Sequence, residues 1–292
     1  MNERLTWQAS GLAVFATILW GGNSVSIKMG LAGIPPVALA AVRFLLGGIV
    51  VLVWTRAIGV PLRLSRTEKR PLFWLALIFV TQILSLNIGT FFTLASRSTI
   101  FINFYPFFTA LFAHLFLTGD RLSGTKVLGM GLSFSGVILI FSDSLLVGQW
   151  DTLAGDLLVL MSAVLLGARQ VYVKHLTQDI HPGRLLLWQA GISVPFFILC
   201  SLLLENTAGI NATPSVLLTV AYQGFVVAGL CFILMTTLLR RYRASRLGAF
   251  GFITPPIGVL LSALLLGEPI TPVLLASMAL VGVGIAVVNY ET

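Results

Sequence analysis

The sequence predicts an all-α polytopic membrane protein, with ten transmembrane helices arranged as two inverted five-helix repeats. Three observations carry this. The chain has 292 residues, of which 57% are hydrophobic and only 10% charged, with a mean hydropathy of +0.99. Soluble chains are about 45–50% apolar and about 25% charged. Apolar runs of the length needed to cross a hydrocarbon core, about 20 residues, recur ten times. Finally, the second half of the chain repeats the first, with an odd number of spans in each half.

The runs fall near residues 9–30, 35–55, 71–93, 98–118, 123–143, 153–174, 183–204, 214–239, 246–267 and 271–290. None alternates apolar and polar residues as the strands of a membrane barrel do. Each is therefore read as a helix, which satisfies its own backbone groups in lipid. Proline, glycine or charge separates them: Ile34-Pro35-Pro36 between spans 1 and 2, the basic stretch from Arg63 to Arg70 between spans 2 and 3, and Gly267-Glu268-Pro269 between spans 9 and 10.

Basic residues set an orientation. With a cytoplasmic N-terminus, the inside carries Arg4, Arg56, Arg63, Arg66, Lys69, Arg70, Arg121, Lys126, Lys174, Arg184, Arg240, Arg241, Arg243 and Arg246. That is fourteen of the 18 Lys and Arg, against Lys28 and Arg97 outside. Cytoplasmic loops carry such an excess, so both termini are placed inside. The net charge of +8 then reports topology and contact with anionic membrane lipid. No nucleic-acid partner is expected, because no basic face interleaved with aromatics accompanies the charge. Cys200 and Cys231 lie inside apolar runs, which does not indicate a disulfide framework.

The repeat is explicit. Ile18 to Lys28 aligns with Val164 to Lys174 at an offset of 146, and Ile34-Pro-Pro36 aligns with Ile180-His-Pro182. Further on, Ala95-Ser-Arg97 matches Ala244-Ser-Arg246, Pro106 matches Pro255, and Thr118 to Ser123 matches Leu266 to Thr271. The halves are residues 1–145 and 146–292. Because five is odd, the second half enters the membrane from the opposite side. The repeats are thus related by a pseudo-twofold axis in the membrane plane, an architecture of transporters with a midplane site and alternating access.

These residues carry a family resemblance. Leu19-Trp20-Gly21-Gly22-Asn23, Ala41-Val42-Arg43-Phe44 and Leu264 to Thr271 after Pro255 resemble the EamA-type branch of the drug/metabolite transporter superfamily. Asn103-Phe-Tyr-Pro106 is similar to the aromatic amino-acid exporters of that branch. The resemblance implies export of amino acids or related metabolites across the bacterial inner membrane; no cofactor is expected.

All ten Asp and Glu lie at or near span ends, Asp156 intruding furthest, by about one turn. A buried acid that proton and cation share is therefore missing, which argues against a small multidrug-pump mechanism. Asp120 and Glu268, at repeat-related positions, are expected to cap helices. Arg43 and Arg169 are the charges inside spans, where arginine costs about 3 kcal/mol unless it pairs or lines a wet cavity. Arg43 is read as a structural charge on helix-terminal carbonyls. Arg169 has two readings, an anchor for a bound carboxylate or phosphate, and structural pairing.

Polar stripes complete a cavity from spans 1–4 and 6–9. Trp20, Asn23 and Ser24 come from span 1, Gln82 and Ser85 from span 3, and Asn103 from span 4. Such stripes face protein or water. The mid-span aromatics Tyr105, Tyr172, Trp188 and Tyr222, with Gln189 beside Trp188, are the remaining binding candidates. Each aromatic also suits ordinary packing. Pro106 and Pro255, in the middle of spans 4 and 9, are expected to kink them and act as hinges. Small residues in spans 5 and 10 (Gly129, Ser133, Gly136, Gly282 and Ala286) mark close helix contacts, internal or in a homodimer. His114, His175 and His181 are too scattered for a metal site, and no catalytic constellation appears. The residues favour transport of a small zwitterion such as an amino acid. The alternatives are efflux of lipophilic drugs and exchange of phosphorylated or nucleotide-sugar anions.

Overall fold

Near-continuous hydrophobicity, interrupted by proline and glycine, folds into helices. The computed structural model describes residues 6–117, 124–147 and 150–290, and no strand occurs among them. The helices are α1 (Trp7–Gly21), α2 (Asn23–Leu31), α3 (Pro36–Ala57), α4 (Arg66–Phe92), α5 (Ala95–Ile102), α6 (Tyr105–Phe116), α7 (Gly124–Val147), α8 (Trp150–Leu176), α9 (Pro182–Leu204), α10 (Pro214–Ala221), α11 (Phe232–Arg241), α12 (Ala244–Gly248), α13 (Thr254–Leu266) and α14 (Pro272–Tyr290). A π-helical segment, Tyr222–Cys231, joins α10 to α11, and a 3-10 segment, Ala249–Ile253, joins α12 to α13. Among the described residues, seven helical stretches are long and apolar enough to cross a membrane. Shorter apolar helices, Val127–Gly136, Thr254–Leu266 and Pro272–Gly284, occupy the runs read as spans 5, 9 and 10. Leu203, Leu204, Leu218 and Leu264 stand exposed on the outer surface, as side chains bathed in lipid do.

Local chemistry fixes the ends. Thr6 caps α1 by accepting from Ala9 N. Ser65 and Glu68 form a capping box at α4, which satisfies two backbone donors reciprocally. His181 caps α9 through Nδ1, accepting from Gly183 N at 3.1 Å. Burial, then Arg240 and Arg184, hold this imidazole below its ordinary pKa, which keeps Nδ1 an acceptor at neutral pH.

Bare backbone makes the close crossings. Gly89 of α4 and Gly155 of α8 face each other, and a Cβ on either falls 2.8 Å from the other's carbonyl oxygen. Gly136 of α7 meets Ser277 and Leu280 of α14, so this small residue serves a contact within the chain. The side chain of Ser133 and the whole of Asp120 lie outside the described residues.

Polar groups gather at two ends of the bundle. At one end Lys28 Nζ donates to Thr90 O, Phe91 O and Thr93 O, capping the C-terminus of α4. Arg97 pairs with Asp156, Nη2 to Oδ2 at 2.5 Å, and Thr93 Oγ1 donates to Asp156 Oδ1 at 2.6 Å. Glu205 accepts from Val37 N and Ala38 N, and Asn211 N donates to Gly33 O. The expected capping by Glu268 occurs, but on α5: it accepts from Ala95 N and Ser96 N, 2.7 and 2.8 Å away. A carboxylate on two exposed amides at a helix N-terminus offsets the positive end of its dipole.

The other end mirrors part of this. Lys174, the repeat partner of Lys28, donates to Arg240 O in the last turn of α11 and to Tyr242 O just beyond it. Arg184 pairs with Glu68 at 2.7 Å, and Trp188 Nε1 donates to Leu62 O.

Candidate functional site

Helices lose α geometry where the cavity lies. α1 ends at Gly21 and α2 restarts at Asn23. The stretch Asn103-Phe104 separates α5 from α6, the 3-10 segment precedes α13, and the π segment precedes α11. Pro106 and Pro255 sit in the first turns of α6 and α13. The kinks expected in continuous helices are therefore full interruptions, with each proline at a position where its missing N–H is harmless. The break at Gly22 and the π segment were not expected. Gly21-Gly22 and the spacing of Gly224 and Gly229 were their only signals.

The cavity has a volume of about 80 Å³ in this conformation, smaller than the about 300–1,000 Å³ usual for drug-sized ligand sites. Trp20, Asn23, Ser24, Arg43, Gln82, Ile83, Leu86, Ile102, Asn103, Tyr105, Leu166, Arg169, Gln170, Val227, Phe232 and Thr254 line it. Seven of the expected binding residues meet here: Trp20, Asn23, Ser24, Gln82, Asn103, Tyr105 and Arg169. A smaller continuation holds Gln189 with Trp20, Arg169, Gln170 and Thr236. Thr254, Val227 and Phe232 were not anticipated, because they owe their position to the two irregular segments.

Four candidates sit elsewhere. Ser85 donates into its own helix, to Thr81 O. Tyr172 donates to Pro71 O, and Trp188 to Leu62 O. Tyr222 donates to Leu19 O, tying the π segment to the last turn of α1 beside the break.

Electrostatics distinguish the site. Arg43 is 1% and Arg169 8% exposed, and the two repel each other. Among the described residues, none lining it is Asp, Glu or His. Arg43 donates through Nη1 to Gln223 Oε1 at 3.4 Å, not to the carbonyls expected of it, and lies 4.6 Å over the Phe44 ring. Arg169 lies 5.0 Å over both Phe79 and Phe232. Those rings and Phe197 pack edge-on and stacked into one aromatic cluster. Each cation–π contact contributes about 0.5–2 kcal/mol, less than the several kcal/mol that desolvating a cation costs. Among the described residues, Arg43 Nε and Arg169 Nε have no partner, and neither do Asn23 Oδ1, Gln82 Oε1 and Gln189 Oε1. Gln82 spends its amide on Ser162 Oγ, and Asn103 spends its own on Thr99 O. The cavity therefore presents unused donors with positive charge and unused neutral acceptors, in a largely apolar wall.

Comparison with known proteins agrees with this architecture. Residues 7–142 and 153–290 each match the EamA-like transporter family. A protein of Salmonella typhimurium named "Probable amino-acid metabolite efflux pump" is 30% identical over 94% of this chain and 92% of its own length. One of the same name from Escherichia coli is 28% identical, over 89% and 87%. A crystal structure 21% identical in sequence superposes with a TM-score of 0.73, covering 98% of this chain and 99% of its own. The chain is a multi-pass membrane transporter, and it belongs to the EamA-like transporter family.

Proposed function

We propose that the protein exports small zwitterionic metabolites, amino acids foremost, by alternating access through the central cavity. The observation that carries this is the set of unpartnered polar atoms. Arg169 offers an unused cationic donor, while Asn23 and Gln82 offer unused carbonyl oxygens in the same cavity. A carboxylate suits the first and an ammonium group the second, with Trp20 and Phe232 enclosing an apolar side chain. The efflux pumps similar to this chain are named for amino-acid metabolites, which favours that cargo. A second reading, exchange of phosphorylated anions, draws on Arg43 sharing the cavity with Arg169.

In this reading ten spans form two inverted halves, with both termini cytoplasmic in the bacterial inner membrane, and the breaks at Pro106 and Pro255 flex in alternation. Contacts support the inversion: Gly33, after the first span, meets Asn211, after the seventh, while Leu62, after the second, meets Trp188, in the second turn of the seventh. Cysteines at the exposed positions Ala32, Thr67, Asp179 and Gly209 test it. Impermeant thiol reagents are expected to reach 67 and 179 from the cytoplasmic side, and 32 and 209 from outside. Equal sidedness for 32 and 179 contradicts the inversion.

For the site, Arg169→Gln is expected to weaken binding of a transported amino acid by about 1.5–3 kcal/mol, the value of a hydrogen bond to a charged group. Binding of its amide, which lacks the carboxylate, is expected to change little. Titration calorimetry on purified protein measures both, and equal losses for acid and amide remove the anchor role.

A further inference from the structure

The cavity carries more positive charge than one carboxylate offsets. Arg43 and Arg169 both line it and are both buried, and each has an unpartnered Nε. The long contact to Gln223 is the one hydrogen bond Arg43 makes among the described residues, and Arg169 makes none there. Four acids able to compensate them are engaged at the bundle ends: Asp156 with Arg97, Glu68 with Arg184, Glu205 on α3 and Glu268 on α5. The surroundings add positive potential. Asn23, Tyr105 and Thr254, in the first turns of α2, α6 and α13, border the same space, and helix N-termini favour anions. Aromatic faces moderate this field without neutralising it.

We propose that the cavity holds two anionic groups at once, one at Arg169 and one at Arg43. A dicarboxylate substrate supplies both groups. A zwitterion with a single carboxylate travels with a small inorganic anion, chloride, at Arg43. This deepens the proposed function and rests on its assignment of Arg169 as the carboxylate anchor.

Chloride binding to the purified protein, read as line broadening of the chloride NMR signal, tests it without relying on transport. Wild type is expected to broaden the signal. Saturating glutamate is expected to abolish the effect, and saturating leucine to leave roughly half. Arg43→Gln is expected to lose the component that survives leucine, while Arg43→Lys, which keeps the charge, retains it. This second variant separates loss of the charge from loss of the fold. No broadening in wild type overturns the proposal, as does a leucine-resistant component that persists in Arg43→Gln.

Proteoliposomes then distinguish the two sources of the second charge. Replacing chloride by gluconate is expected to slow leucine flux at least tenfold and to leave glutamate flux within twofold. Leucine flux indifferent to chloride overturns the co-anion. Failure of the anchor looks different: Arg169→Gln then leaves leucine binding intact whatever chloride does.

Discussion

Asp156→Ala is expected to lower folding stability by about 3–5 kcal/mol, the cost of removing one partner from a buried ion pair. Asp156 is fully buried, and its carboxylate takes Nε and Nη2 of Arg97 and the hydroxyl of Thr93. Deleting it removes that carboxylate from beside the buried Arg97, which is 5% exposed. Replacing both residues, as Arg97→Met with Asp156→Leu, is expected to recover most of the loss, because apolar side chains pay no desolvation cost at that site. Thermal unfolding of the single and double variants in detergent measures the cycle. A single variant within about 1 kcal/mol of wild type contradicts the argument, since that is the size of an exposed pair.

Gly155→Leu is expected to prevent α4 and α8 from docking, and Gly155→Ala to cost about 3 kcal/mol, the upper range for overpacking. A Cβ at Gly155 lies 2.8 Å from Gly89 O and Thr93 N and 3.0 Å from Phe92 C. All three are backbone atoms, which cannot rotate aside as a side chain does. The control is Gly191 in α9, where an added Cβ meets nothing within 4 Å. There Gly191→Ala is expected to be neutral or to gain up to about 1 kcal/mol from helix propensity. Equal effects at the two positions, read by protease resistance and unfolding temperature, contradict the steric account.

Hydropathy made the spans legible, because the length of a crossing and the scarcity of charge are properties of the chain alone. The same hydrophobicity hid which face of each helix turns inward. In a helix apolar all round, no stripe separates core from lipid. Tyr172 and Trp188 were placed in the cavity on depth alone, yet they bond to Pro71 O and Leu62 O near one end. Prolines announced the interruptions before α6 and α13. Gly21-Gly22 was an ambiguous signal of the break between α1 and α2, since glycine is common in membrane helices for packing reasons. Arg97 was counted as a topology signal. Its partner lies 59 residues away, and no local pattern links them. Arg169 and Asn23 were found because buried polar residues in a span need a reason to be there. Arg43 needed the structure to reveal that it shares a cavity with Arg169.

The ion pair between Arg97 and Asp156 has one more consequence. The residue of the first half that corresponds to Asp156, 146 positions earlier, is Ser10, which has no charge to hold a guanidinium. Two halves that both match one family thereby differ in charge at this position. A carrier whose orientations were equivalent would spend half its idle time in each. Here every 1.4 kcal/mol by which the ion pair favours the form that keeps it multiplies that form's resting share tenfold. Within the proposed cycle the resting bias is set by the difference between this pair and the Arg184–Glu68 pair at the other end. Cargo turns it over only by binding the other orientation more tightly than that bias.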